Sequence, residues 1–288
     1  MTAVDDRPTA EIGQARKRKE DQRLITGRTR WTDNIQLPGM LHLAMVRSPF
    51  AHARITAIDT AAAKAAPGVI AVFTGADLAD SQGVNINAWP ITPDQVTPTH
   101  LPVVSDHVAC AGEIVAVVAA RTAAAAADAA REVIVDYDDL PVVLDMEEAV
   151  KDGAALAHPD LGTNISAVWT LDSHSGGTGN DVDAEIAALR ADPNGVVIER
   201  RFRQQRLVPA FMEPRSTVVD PTGEQFVIWS ATQVPHFVRI FMALVTGTPE
   251  SKLRVIAPDV GGGFGGKLQF TPEEVITFLV ARELRKPV

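Results

Sequence analysis

Between residues 41 and 137 the hydrophobic positions alternate between two patterns. Residues 41–47, 69–73, 113–119 and 132–137 are short apolar or β-branched runs and read as strands. Residues 59–66 and 122–131 are alanine-rich and read as helices. This alternation predicts an α/β domain. Residues 81–101 are rich in Pro, Asn and Gln and read as a long surface loop. Past residue 138 the pattern breaks, with Pro141, Pro159 and an acidic cluster around Glu147 and Glu148 marking a connector. A second set of elements follows. Residues 172–183 read as a loop. Residues 196–206, 216–220, 225–230 and 253–257 read as strands. Residues 235–245 read as a helix with Phe237, Phe241 and Leu244 on one apolar face, a face that reads as core. The last helix starts at Thr271, where Pro272 and Glu274 complete a capping-box signature, and closes near Arg285. The first 24 residues are charged throughout and read as an extended arm. No repeat of fixed period is present.

Composition narrows the class. With 288 residues, 46% of them hydrophobic and 22% charged, the chain reads as one or two globular domains with a sizeable core. A net charge of −9 argues against nucleic acid as a main partner. The most apolar stretch, residues 108–130, contains Glu113, Arg121 and Asp128, so no membrane span is expected. The single cysteine, Cys110, excludes an internal disulfide and a cysteine-ligated iron–sulfur or zinc site built by this chain alone. Its apolar surroundings predict a buried small hydrophobe.

The strongest chemical signal is Asp259-Val-Gly-Gly-Gly-Phe-Gly-Gly-Lys267, in which five of six consecutive positions are glycine. It lies between a strand and a capped helix. Glycines let bare N–H groups converge on one concavity, which suits an anion or a polar cofactor. A plain turn would need fewer glycines. Gly261, Gly263 and Gly266 satisfy the dinucleotide fingerprint, but its third glycine belongs inside a helix, and here the helix starts at Thr271. Gly261–Lys267 also fits the phosphate loop of nucleotide triphosphatases, except that Leu268 stands where a hydroxyl should bind magnesium.

Several phrases, taken in order, resemble the molybdopterin-binding large subunit of the xanthine dehydrogenase and aerobic carbon monoxide dehydrogenase family. They include Arg23-Leu-Ile-Thr-Gly27, Arg47-Ser-Pro-Phe-Ala-His-Ala53, Met212-Glu-Pro-Arg215, Ser230-Ala-Thr-Gln-Val-Pro-His236 and the glycine run itself. The resemblance implies a mixed α/β (α+β) fold. An N-terminal arm (1–24) would precede an α/β hammerhead domain (25–140), a connector (141–165) and the first part of a molybdenum-cofactor domain (166–288). It implies a molybdenum–molybdopterin cofactor, in its cytosine dinucleotide form. FAD and [2Fe–2S] clusters would reside on a medium and a small partner subunit, in a cytoplasmic dimer of heterotrimers. The reaction implied is oxidation of a small substrate with oxygen from water.

The resemblance also assigns residues. Gln233 matches the family's glutamine that hydrogen-bonds the metal's apical oxo ligand. Gly262, Gly263, Phe264, Gly265 and Gly266 match the loop facing the pterin and the metal's oxygen ligands, with Gln233 and Phe264 nearest the metal but not ligating it. The family's catalytic glutamate falls beyond residue 288, so no catalytic residue is expected in this chain, and alone it is expected to be inactive. Glu213 and Glu273 read as structural. Leu268, where purine-oxidising members carry Glu, makes a purine substrate less expected. The chain stops at Lys286-Pro287-Val288, as if approaching another strand, which predicts an incomplete domain. A catalytically silent binding or assembly module keeping half a cofactor site remains the alternative.

Overall fold

A computed structural model describes residues 13–84, 92–170, 179 and 181–288. Parts of the loops expected at 81–101 and 172–183, and the first half of the arm, lie outside the described residues. The described end of the arm is not wholly extended, because Asp21–Ile25 forms a short helix, α1.

The first domain is organised by the strand Ile114–Ala120, every residue of which is buried. Its sequence, a continuous run of Ile, Val and Ala, suits a strand covered on both faces. Numbered in chain order, the strands of this domain are β1 (His42–Arg47), β2 (Ala53–Asp59), β3 (Val69–Thr74), β4 (His107–Val108), β5 (Ile114–Ala120) and β6 (Ile134–Asp139). They form two sheets, ordered β1-β5-β3 and β4-β2-β6, and all their pairings are antiparallel. Helices α2 (Ala61–Ala65) and α3 (Ala123–Ala130) pack with them, and Ala63, Ala126 and Ala129 are buried. The small alanine side chains let these helices approach closely. Thr122 caps α3 by accepting the Ala125 N–H at 3.1 Å.

Beyond the connector, helix α4 (Val182–Ala191) has no buried residue and is capped by Asp181. Strands β7 (Thr217–Asp220), β8 (Phe226–Ser230) and β9 (Leu253–Ile256) form the third sheet, ordered β7-β8-β9. β8 and β9 are parallel, joined by helix α5 (Pro235–Thr246) as the crossover that a parallel pair requires. Helix α6 (Pro272–Leu284) starts with the expected capping box and buries Val275, Ile276, Phe278, Leu279 and Val280. Its Phe278 ring lies 4.8 Å from Phe226 of β8. Leu41, Leu78, Val103 and Val117 of the first domain share one buried cluster with Val219, Ile228, Met242 and Phe278 of the second. Packing therefore holds the two domains together.

Several expectations need correction. Residues 196–206 are not a strand, and Val196, Ile198 and Phe202 are 74%, 75% and 88% exposed. A β-branched run makes a strand only where a neighbour supplies ladder hydrogen bonds. On α5 the buried set is Val238, Phe241, Met242 and Val245, while Phe237 and Leu244 are exposed. The helix turns the i, i+3, i+4, i+7 stripe inward. β2 and α4 carry weak signals: β2 is largely exposed and α4 buries nothing. Cys110 is exposed, because it sits in the turn between β4 and β5, ahead of the buried run.

Glu274 shows how the capping box is tied into the core. It is 5% exposed. Its Oε2 accepts the Thr271 N–H at 2.9 Å, and its Oε1 accepts the Ser230 hydroxyl at 2.6 Å. Burial pushes its pKa above the ordinary 4.5, against the opposing hydrogen bonds. A folded-state pKa raised in this way gives stability that is complete below 4.5 and is lost as pH rises through the folded value. Glu274→Gln should therefore gain on the wild type, in urea-unfolding free energy, as pH rises from below 4.5 to neutrality. A difference that does not change with pH would show that the carboxyl is not raised.

Candidate functional site

The glycine run begins five residues after β9 ends, and Gln233 lies three residues after β8 ends. β8 and β9 are parallel neighbours, so both segments emerge at the same, carboxyl, end of the sheet. Ligands of open α/β sheets collect at that end. Helix α5 starts two residues after Gln233 with no side-chain cap, adding the partial positive charge of its N-terminus to the same end.

The glycines have two different physical reasons. Gly262 and Gly265 take φ of +97° and +84°, the left-handed region that favours glycine. The other three permit close approach. A Cβ on Gly261 would sit 2.5 Å from Glu213 Cβ, one on Gly263 would sit 2.3 Å from Gln233 Oε1, and one on Gly266 would sit 2.8 Å from the Phe211 ring. Phe264 also has positive φ, +47°, and its side chain is 75% exposed. A bulky residue held there carries backbone strain.

The loop is held on both sides by the 211–215 segment. Glu213 Oε2 accepts the Gly261 N–H at 2.7 Å and pairs with Lys267 Nζ at 2.9 Å. The Lys267 side chain is almost fully buried, with Nζ 4.8 Å from the centre of the Phe211 ring. Arg215 donates to the Gly266 carbonyl at 2.6 Å and lies over the other part of the same platform, 5.5 Å from the Phe211 centroid. Gln233 completes the frame. Its N–H donates to the Lys267 carbonyl at 3.0 Å, and its Oε1 accepts the Gly265 N–H at 3.1 Å.

These bonds leave a set of donors. Among the described residues, the N–H groups of Gly262, Gly263 and Phe264 have no protein acceptor, and neither does the Gln233 Nε2 amide. Successive bare amides of this kind make a cradle for an oxygen-rich, anionic group. The cradle offers amide donors rather than metal ligands, which suits a group that carries its metal on its own organic ligand. The residues fit such a group, since they are donors and a preset backbone surface rather than ligands. A cavity of about 490 Å³ lies beside the loop, lined by Arg47, Arg215, Thr232, Lys267 and Glu273 among others. Neither Gln233 nor Gly262–Gly265 lines it, so the cavity and the cradle are separate features.

Every expected site residue, Gln233 and Gly262 through Gly266, comes together in this one frame. Glu213 and Glu273 are both engaged. Glu213 is bound as described, though in a loop and not in a strand. Burial works against ionisation of Glu273, yet the hydrogen bond and charge of Arg47 hold its carboxyl below the usual range. What sequence reasoning missed is the supporting set: Phe211, Arg215 acting on Gly266, and the buried charge of Lys267. Charged residues at both ends of the run, Asp259 and Lys267, were the available signal.

Comparison with known proteins agrees with this geometry. Residues 26–141 match the family description "aldehyde oxidase and xanthine dehydrogenase, a/b hammerhead domain". Residues 158–288 match "molybdopterin cofactor-binding domain". The nicotine 6-hydroxylase large subunit of Paenarthrobacter nicotinovorans is 35% identical over 96% of this chain and 33% of its own length. The carbon monoxide dehydrogenase large chain of Afipia carboxidovorans is 36% identical over 89% of this chain and 32% of its own. Among solved structures, quinoline 2-oxidoreductase from Pseudomonas putida 86 superposes with a TM-score of 0.83 at 40% identity, covering 94% of this chain and 33% of that one. The chain thus spans about a third of the length of these relatives.

The frame makes a prediction of its own. Lys267→Met leaves Glu213 buried without its cation, and Glu213 Oε1 already lacks a partner among the described residues. Breaking such a pair costs about 3–5 kcal/mol. Denaturant unfolding should show a loss of that order, and Glu213→Gln added to Lys267→Met should recover part of it. A single variant as stable as the wild type would remove the ion pair from the account.

Proposed function

Because the chain belongs to the aldehyde oxidase and xanthine dehydrogenase family and carries its hammerhead and molybdopterin-binding domains, we propose that it provides the cofactor cradle of a molybdenum hydroxylase large subunit. The observation that carries this reading is the row of unpaired amides at Gly262, Gly263 and Phe264 beside the free Gln233 amide, all at the carboxyl end of β8 and β9. The domain division is the one read from the sequence: arm 1–24, hammerhead 25–140, connector 141–165 and cofactor domain from 166.

When bound, the molybdenum–molybdopterin group supplies the redox chemistry, a two-electron oxidation of a small substrate with oxygen from water. This chain's residues act on that group as donors. Gly262, Gly263 and Phe264 present backbone N–H groups in fixed directions, and Gly265 and Gly266 shape the turn that aims them. Gln233 presents Nε2 while its Oε1 is held by Gly265, so the amide cannot flip without losing a bond. A neutral donor of this kind stabilises developing negative charge at no reorganisation cost. Glu213 and Glu273 are each paired with a cation, Lys267 and Arg47, and no catalytic base is assigned to this chain. We further propose the cytosine dinucleotide form of the cofactor, FAD and [2Fe–2S] partner subunits in a dimer of heterotrimers, and a cytoplasmic location. Support for partner subunits comes from relatives described as large chains, and from one described as subunit gamma of the 6-hydroxypseudooxynicotine dehydrogenase complex.

Two variants of the complete enzyme test the reading. Gln233→Ala should lower turnover by about 10²–10³ at equal molybdenum content, the usual loss for one preorganised donor. Unchanged turnover at equal loading would show that the amide does not act on the group. Gly265→Val should abolish cofactor retention, because a β-branched residue is strained at φ +84° and the turn aiming the amides would change. Elemental analysis for molybdenum and fluorescence of the released pterin read this directly, with circular dichroism as the folding control. Full cofactor in a folded Gly265→Val protein would reduce the loop to a plain turn.

A further inference from the structure

The glycine run is anchored in its middle by Gln233 and at its far end by Lys267 and Arg215. Its near end is held by Glu213 at Gly261 and, just ahead of it, by a second attachment. Asp259, two residues before Gly261, is tied to the N-terminal segment more than two hundred residues away in sequence. Its N–H donates to the Arg30 carbonyl at 3.0 Å. Its Oδ2 accepts the Arg30 N–H at 3.0 Å, so one residue returns both backbone bonds of Arg30. Its Oδ1 pairs with Arg23 at 2.5 Å, and the Asp259 side chain is only 13% exposed. The next residue of the segment, Trp31, puts its ring against Gly261, where an added Cβ would meet it at 3.5 Å. The segment is itself ordered: the Arg28 N–H donates to the Arg23 carbonyl at 3.0 Å, and Asn34 Oδ1 accepts the Trp31 N–H at 3.0 Å.

A run of five glycines in six has far more conformations to lose than an ordinary sequence of that length. Each end left loose would let the bare amides point elsewhere. We propose that residues 23–31 form a clamp that presets the glycine loop for its ligand, with Asp259 and Arg23 as positioning residues. The ion pair between them is half exposed on the arginine side, so its contribution is modest and weakens with salt. The two hydrogen bonds that Asp259 exchanges with the Arg30 backbone carry the rest. In this arrangement the N-terminal segment is part of the site's framework, although it touches none of the unpaired donors. The proposal rests on the glycine loop being the cofactor cradle.

The test reads the loop itself. Hydrogen exchange of the amides at residues 260–266 in the 288-residue protein is compared for wild type, Arg23→Gln, Asp259→Asn and the double variant. Arg47→Gln, which breaks another ion pair between the two domains, serves as control. The clamp predicts exchange roughly two- to fivefold faster in each single variant, the range that an ion pair of this exposure supplies. It predicts a double variant no faster than Asp259→Asn alone and a control at the wild-type rate. Unchanged exchange in both singles overturns the proposal, as does strict additivity or an equal effect of Arg47→Gln. Arg23→Gln alters an exposed side chain only, so the comparison survives if Asp259→Asn fails to fold. In the assembled holoenzyme, Arg23→Gln should release molybdenum severalfold faster, and more so at low ionic strength relative to wild type. Equal release in a variant with a loosened loop would overturn the link to the ligand. The cofactor reading fails separately, through full molybdenum in Gly265→Val, and that result leaves the exchange comparison standing.

Discussion

The candidate site depends on one carboxylate oxygen. Glu213 Oε2 receives both the Gly261 N–H and the Lys267 ammonium, and so spans the glycine run from its first residue to the cation just past its last. Ordering a residue's backbone costs about 1–2 kcal/mol, and more for glycine. A run of five glycines in six cannot recover that cost from its own side chains. The surrounding chain must supply it, and a buried ion pair is suited to the task. Its direction and distance are narrowly set, and moving either partner leaves a charge stranded in the interior. Phe211 adds a flat surface under Lys267 and Arg215, and it packs so close to Gly266 that no side chain could stand there.

The third sheet and its helices turn that local order into a site. β8 and β9 run parallel because α5 crosses between them, so Gln233 and the glycine run leave the sheet at one end. An antiparallel pair would have put them at opposite ends. The sheet is positioned in turn by α6, whose first turn is joined to β8 through Ser230 and Glu274 and to the first domain through Arg47 and Glu273. The apolar cluster running from Leu41 and Val117 to Ile228 and Phe278 makes the two domains one packed body. That body lets a segment near residue 30 reach a loop near residue 260.

Much of this was legible in the sequence where local chemistry decides the outcome. The capping box at Thr271 and Glu274, the fully apolar β5, the alanine helices and the glycine run each carry their reason within a few neighbouring residues. Element type followed wherever a strong periodic signal met a compatible partner. The failures were of another kind. Residues 196–206 open on the β-branched run Val196-Val197-Ile198 and read as a strand, yet pair with no strand among the described residues. On α5 Phe237 and Leu244 look like core residues, but Val238, Met242 and Val245 face the sheet instead.

By itself, then, the sequence determined the types of most elements, the resemblance to one enzyme family and the residues able to form a donor cradle. The elements and the donor residues follow from short-range backbone preference and side-chain chemistry, and the resemblance from the ordered phrases that carry it. Only the tertiary structure decided which face of each helix is buried and which glycines serve φ and which serve close approach. It also decided that Glu213, Lys267, Asp259 and Arg30 frame the loop. Those outcomes rest on contacts between residues tens to hundreds of positions apart. A chain's order does not encode such distances until packing has brought its segments together.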